Sequence, residues 1–160
     1  MDQQKINELI SSLKMILSDN KNIDIPEKGL QDYLQLKSIR TNFTIVLNRK
    51  GNKSPKFTLQ LSSDNYRSRP LLRLDILGPD HANPDGDFPY ASQIIPCPHI
   101  HVAHEIFGMS IAYPLNEEYA NMCLTDQELK DLVTILNRFL KRCNVSNIED
   151  YNFKHQMELL

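Results

Sequence analysis

From Leu30 to Ile76 the apolar residues recur at every second position. Leu34 and Leu36, then Phe43, Ile45 and Leu47, then Phe57, Leu59 and Leu61, then Leu72, Leu74 and Ile76 alternate with polar neighbours. Successive strand side chains point to opposite faces, so this period calls for half-buried strands in an antiparallel meander, one face apolar and one wetted. Asn48–Pro55 supplies the turn of a hairpin within it. A one-faced sheet needs a cover, and both ends of the chain offer one. Residues 3–18 carry Ile6, Leu9, Ile10, Leu13, Ile16 and Leu17 at helical spacing. Thr125-Asp-Gln-Glu128 is a capping box ahead of the stripe Leu129, Leu132, Val133, Leu136, Phe139, Leu140 and Cys143. Asn20–Gly29 reads as a polar connection, Pro98–His104 and Met109–Tyr113 as further strands, and Asn147 as the start of a shorter helix. The expectation is a single α+β domain over residues 1–160: an antiparallel sheet of about five to six strands, with an N-terminal and a C-terminal helix packed on it.

Composition narrows the function classes. A net charge of −2 with 24% charged residues excludes a general electrostatic grip on nucleic acid and leaves only local basic patches, such as Arg67, Arg69 and Arg73, or Lys50, Lys53 and Lys56. Three widely spaced cysteines, Cys97, Cys123 and Cys143, do not form a disulfide framework, which predicts a reduced, cytoplasmic protein. No run reaches the roughly 20 apolar residues of a membrane span, and the amphipathic N-terminus lacks the apolar stretch of a signal peptide. Walker, Gly-x-Gly-x-x-Gly, Gly-x-Ser-x-Gly and Cys-x-x-Cys motifs do not occur, which removes the main support for ATPase, dinucleotide oxidoreductase, serine hydrolase and zinc-ribbon readings.

Four of the five histidines lie between His81 and His104, among prolines and carboxylates. That mixture suits a polar site, because imidazoles titrate near neutral pH and prolines restrict the backbone that carries them. On a strand His99 and His101 share a face; so placed they can bind a metal, act as general acid and base, or simply face solvent. Arg73 and Asp75 share a face in the same way, as an exposed ion pair or as a phosphate clamp beside a group that orients a histidine. Leu77–Pro98 reads as a long loop, in which Asn83-Pro-Asp-Gly86 forms a β-turn that fixes His81 and Asp85. Asp80, Asp85 and Asp87 lack the spacing of an EF-hand. Cys97 would lie on the same side as the two histidines and reads mainly as a small buried hydrophobe. His155 reads as a surface residue.

Leu72-Arg73-Leu74-Asp75, Gly78-Pro79, His81, Asn83-Pro84-Asp85-Gly86, Pro96-Cys97-Pro98-His99-Ile100-His101 and Ala112-Tyr113-Pro114-Leu115 resemble an uncharacterised family of small proteins from phages and pathogenicity islands of Gram-positive bacteria. Arg73, Asp75, His81, His99 and His101 are also similar, more loosely, to the pattern of TumE-type toxins of toxin–antitoxin pairs, a resemblance that implies action on RNA.

These observations and resemblances lead to the expectation of a small mobile-element-encoded endoribonuclease of toxin type. His99 and His101 would be acid and base, Arg73 would hold the scissile phosphate, and Asp75 or His81 would orient an imidazole. No cofactor is needed for that chemistry. The alternative is a non-enzymatic phage or island protein that inhibits a host defence protein, such as a CRISPR or restriction component, or a replication protein. A third is a metal-dependent hydrolase with His81, Asp85, His99 and His101 as ligands, zinc being the metal in view. Expected partners are RNA, an antitoxin or a host defence protein, and no membrane.

Overall fold

The computed structural model describes residues 1–50 and 57–155. In chain order it holds α1 (Gln3–Ser11), β1 (Met15–Ile16), β2 (Asn22–Asp24), β3 (Gln31–Lys37), β4 (Asn42–Asn48), β5 (Thr58–Ser63), β6 (Leu72–Asp75), β7 (His81–Ala82), β8 (Ile94–Ile95), β9 (His99–Val102), β10 (Ala112–Pro114), α2 (Leu132–Arg142) and β11 (Asn152–Lys154), with three 3-10 turns. Seven strands form the main sheet in the order β1-β3-β4-β5-β6-β9-β10, every neighbouring pair antiparallel. The α+β architecture matches the sequence pattern, but the sheet is larger than five to six strands. The additional strand is β1, where a helix was expected.

The period-2 pattern resolves into two faces. Leu34, Leu36, Phe43, Ile45, Leu59, Leu61, Leu72, Leu74 and Ile100 are buried in one cluster with Ile6, Leu9 and Ile10 of α1 and Ile135, Leu136 and Phe139 of α2. An 11-residue helix is marginal alone in water. Burying Leu132, Ile135, Leu136, Phe139 and Leu140 contributes about 10 kcal/mol before entropy, at roughly 2 kcal/mol each, so α2 is held by this face.

Three local expectations are corrected. The first helix ends at Ser11, not residue 18: Ser12 takes an extended ψ of 140°, and Met15 and Ile16 pair with Lys37 and Leu36. Leu13 and Leu17, which extended the helical stripe, are exposed, whereas Lys14 is wholly buried and donates to Ile10 O, Ser12 O and Cys143 O at 2.9, 2.9 and 2.8 Å. One ammonium thus closes the C-terminal ends of both helices. The capping box forms, with Thr125 N to Glu128 Oε1 and Glu128 N to Thr125 Oγ1 both at 3.1 Å, but it caps a 3-10 turn at Glu128–Lys130. The helix proper starts at Leu132 behind a second cap, Asp131. The segment after Asn147 holds a 3-10 turn and β11, which pairs in parallel with β2 inside the expected polar connection.

Each edge of the main sheet is closed by an asparagine amide. Asn147 Oδ1 accepts from Ile16 N (2.8 Å) while its Nδ2 donates to Ile16 O (3.1 Å). Asn83 Oδ1 accepts from Ala112 N (2.8 Å) while its Nδ2 donates to Ala112 O (2.9 Å). A carboxamide presents one acceptor and one donor, as the backbone of another strand would, and so satisfies an edge without inviting another chain. The expected hairpin turn at Asn48–Pro55 lies largely outside the described residues, as do Lys53 and Lys56. No helix among the described residues is long and apolar enough to cross a membrane.

Candidate active site

The wetted face of β5, β6 and β9 carries two polar rows set by strand register. Thr58, Asp75 and His99 are cross-strand partners in one; Gln60, Arg73 and His101 in the other. Because β6 and β9 are neighbours, the two sequence-predicted pairs become a single cluster. They sit at the floor of a cleft of about 810 Å³, bordered by Leu77–His81 and Cys97. The long loop is not structureless: His81–Ala82 and Ile94–Ile95 pair as a two-stranded ribbon that brings His81 over the strands.

One carboxylate organises the cluster. Arg73 Nε donates to Asp75 Oδ1 at 3.0 Å, and Arg73 Nη2 to Oδ2 at 3.2 Å. On the other side, His99 Nε2 and His101 Nε2 lie 3.2 and 3.4 Å from Oδ2. Burial acts to raise the Asp75 pKa, but contacts with His101, His99 and Arg73 outweigh it and hold the carboxyl well below the usual carboxylate range. Exposure grades across the two strands: the side chains of Arg73 and Asp75 are 34% and 19% exposed, those of His99 and His101 only 2% and 1%.

Each imidazole is fixed by a backbone carbonyl. His101 Nδ1 lies 2.8 Å from Met109 O, His99 Nδ1 3.2 Å from Ile95 O, and His81 Nε2 2.7 Å from Ser110 O. A carbonyl only accepts, so each of these nitrogens carries the proton. His101 Nε2 lies between Arg73 Nη2 at 3.0 Å, which only donates, and Asp75 Oδ2 at 3.4 Å, which accepts. His99 faces acceptors at both nitrogens, Ile95 O at 3.2 Å and Asp75 Oδ2 at 3.2 Å. His81 packs edge-on against His101, ring centroids 4.7 Å apart, and its Nδ1 makes no hydrogen bond among the described residues.

Arg73, Asp75, His81, His99 and His101 are therefore brought together, and Asp85 is not. The Asp85 carboxylate is exposed and accepts from Gly86 N (3.0 Å) and Ser92 Oγ (3.1 Å), closing its own turn. It is not among the residues lining the cleft or in the group that could share an ion, which separates it from the other metal-ligand candidates. Asp75, His99 and His101 instead place three ligand atoms within 4.8 Å of one another. His104 caps the turn that follows β9, its Nδ1 accepting from Ile106 N and Phe107 N. Cys97 Sγ is 3.7 Å from His99 Nδ1, but burial, with Asp75 and Asp80 adding, pushes its thiol up to about 11, so no thiolate forms near neutral pH. His155 is exposed, its Nε2 3.1 Å from Arg49 Nη1. Two contributions escape sequence reasoning: Asn83, whose amide ties the His81 ribbon to β10, and the carbonyls of Ile95, Met109 and Ser110. Only the polar alternation of Thr58 and Gln60 marked their strand as part of the floor.

The model of DUF6978, a family of unknown function, matches residues 1–145, and the chain belongs to that family. No curated protein and no solved structure matches the chain.

Proposed function

We propose that this member of the DUF6978 family is a toxin-like endoribonuclease encoded on a mobile element, cleaving RNA in the cleft over β6 and β9 without a metal. The observation that carries this reading is the Asp75 carboxylate shared by two imidazoles and a guanidinium at the floor of a cleft. Cleavage through the 2′-hydroxyl needs a base to take its proton, an acid to protonate the departing 5′-oxygen, and a cation beside the non-bridging oxygens. His101, with its Nδ1 turned to Met109 O and its Nε2 facing the cleft-lining Arg73, is the base. His99, whose Nε2 lies 3.2 Å from Asp75 Oδ2, is the acid, and Asp75 orients it. Arg73 is the clamp. Its Nη1 makes no hydrogen bond among the described residues, and a phosphate drawing its fork away from His101 frees the base as substrate arrives. RNA as the substrate class rests on the looser resemblance of Arg73, Asp75, His81, His99 and His101 to TumE-type toxins.

Purified protein incubated with a single-stranded RNA oligonucleotide and EDTA tests this. The expected products carry 2′,3′-cyclic phosphate and 5′-hydroxyl ends, with the rate falling about 10²- to 10⁴-fold in His99→Gln and in His101→Gln. Intact RNA, or undiminished cleavage by the double variant, overturns it. A second reading is favoured by Ile94 and Ile106, which are 68% and 75% exposed on the segments flanking the histidines. Under it the chain is a non-enzymatic inhibitor of a host defence or replication protein. A host protein that co-purifies with the wild type and is lost with Ile94→Asp/Ile106→Asp, while His99→Gln leaves it bound, selects that reading.

A further inference from the structure

We infer that Asp75, His99 and His101 form a binding site for a divalent transition metal, zinc in the first place, and that the Arg73 guanidinium is its built-in competitor. The donor set is two imidazole nitrogens and one carboxylate oxygen, the ligand types of three-coordinate protein sites that leave a further position open. Those atoms lie within 4.8 Å of one another on two hydrogen-bonded strands, so little reorganisation separates them from a common ion. What distinguishes the cluster from a chance grouping is the layer behind it. His99 Nδ1 and His101 Nδ1 face the carbonyls of Ile95 and Met109. This fixes both rings with Nε2 directed to Asp75, the arrangement in which a metal-binding histidine has its second nitrogen anchored by a backbone acceptor.

The guanidinium stands where the ion would compete. Arg73 Nη2 is 3.0 Å from His101 Nε2 and 3.2 Å from Asp75 Oδ2, so it touches two of the three ligand atoms. His101 Nε2 has a single lone pair, so a zinc bond of about 2.0–2.1 Å there excludes its hydrogen bond from Arg73. One cation therefore replaces the other. The partly exposed Arg73 side chain has the adjoining cleft to move into, whereas the buried imidazoles stay in place. The consequence for cleavage rests on the function proposed above: with zinc seated, His99 Nε2 and His101 Nε2 are ligands rather than acid and base, and RNA cleavage stops.

The test is a zinc titration of the full chain against a chromophoric chelator, with Co²⁺ absorption as a second readout. The wild type is expected to bind one equivalent without thiolate-to-cobalt charge transfer. Arg73→Gln, which removes the competing charge, is expected to bind at least about tenfold more tightly. Asp75→Asn and the His99→Gln/His101→Gln double variant are expected to lose binding, with circular dichroism confirming that each is folded. Absence of zinc binding in both the wild type and Arg73→Gln overturns the inference, as does binding that survives loss of both histidines in a folded protein. Unchanged or weaker binding by Arg73→Gln overturns the competition. Because these readouts contain no RNA, zinc binding without RNA cleavage refutes the nuclease proposal alone, and RNA cleavage without zinc binding refutes this inference alone.

Discussion

Replacing Asn83 by alanine removes the group that ties the His81 ribbon to the edge of the sheet. Three hydrogen bonds go with it: to Ala112 N at 2.8 Å, to Ala112 O at 2.9 Å and to Tyr90 O at 3.1 Å. Asn83 and Ala112 are both buried, so water does not simply take over these partners. An orphaned buried polar group costs about 1–3 kcal/mol, a donor with its single hydrogen more than a carbonyl with two lone pairs. The Ala112 N–H at about 2 kcal/mol and its carbonyl at about 1 kcal/mol give a loss of about 3 kcal/mol. For a chain of this size that lowers Tm by roughly 6–12 °C. Asn83→Asp separates the two halves of the amide: it keeps the acceptor for Ala112 N but sets a carboxylate against Ala112 O and Tyr90 O. It is expected to destabilise at least as much as alanine near neutral pH, and less when the carboxyl is protonated. Urea unfolding gives the energies, and hydrogen exchange at the Ala112 amide locates the effect. A loss below about 1 kcal/mol with the Ala112 amide still protected refutes the edge-closing role.

Two pH dependences follow from other buried charges. Burial pulls the Lys14 ammonium from 10.5 down to about 8. Between those values the unfolded chain holds a proton that the folded one has released, so stability rises with pH across that window. Measured against Lys14→Met, the rise is at most about 3 kcal/mol, at 1.36 kcal/mol per unit, and a difference that stays flat from pH 8 to 10.5 refutes it. Asp75 has the same sense in a lower window: its folded pKa is also depressed, so its contribution is complete above the ordinary carboxylate value near 4 and declines as pH falls below it. Acid titration of stability is expected to show that decline in the wild type and to lose part of it in Asp75→Asn; identical acid profiles would refute it.

Which residues share a face was legible in the chain, whereas which strands meet was not. Alternation alone places Arg73 with Asp75 and His99 with His101, because side-chain direction on a strand is a local property. The pairing of Asp75 with His99 spans 24 residues and depends on β6 and β9 being neighbours, which the loop between them leaves open. Local pattern also misleads where a second signal competes. Leu13, Ile16 and Leu17 continue the spacing of α1, yet Lys14 turns inward to two helix ends and Ile16 enters the sheet. Thr125 and Glu128 form their capping box, but Asp131 offers a second cap six residues after Thr125 and the long helix starts there. Asp85 lies apart from the cluster because Asx chemistry is short-range: its Oδ1 accepts from its own turn amide and from Ser92, within the loop.

The site owes its character to the boundary on which it lies. Towards β3 and β4 the wetted face of the sheet is open, with Thr44, Val46 and Asn48 half-buried and Tyr33 exposed. Over β9 it is roofed by the His81 ribbon and by the segment after the His104 turn. Arg73 and Asp75 stand at the open side and their partners one strand further in, so the exposure falls from 34% to 1% across one pair of strands. A fully roofed ion pair would bear the desolvation cost of both charges with no access to a ligand. A fully open one would be screened and worth about 1 kcal/mol or less. At the boundary the imidazoles acquire fixed tautomers from buried carbonyls, while the guanidinium keeps the freedom to exchange Asp75 and His101 for an incoming anion. Both proposals above depend on that division. A variant that opens the roof without touching the five residues, such as Asn83→Ala, should therefore weaken zinc binding and RNA cleavage together, whereas loss of one with the other intact would show that the roof does not hold the site as one unit.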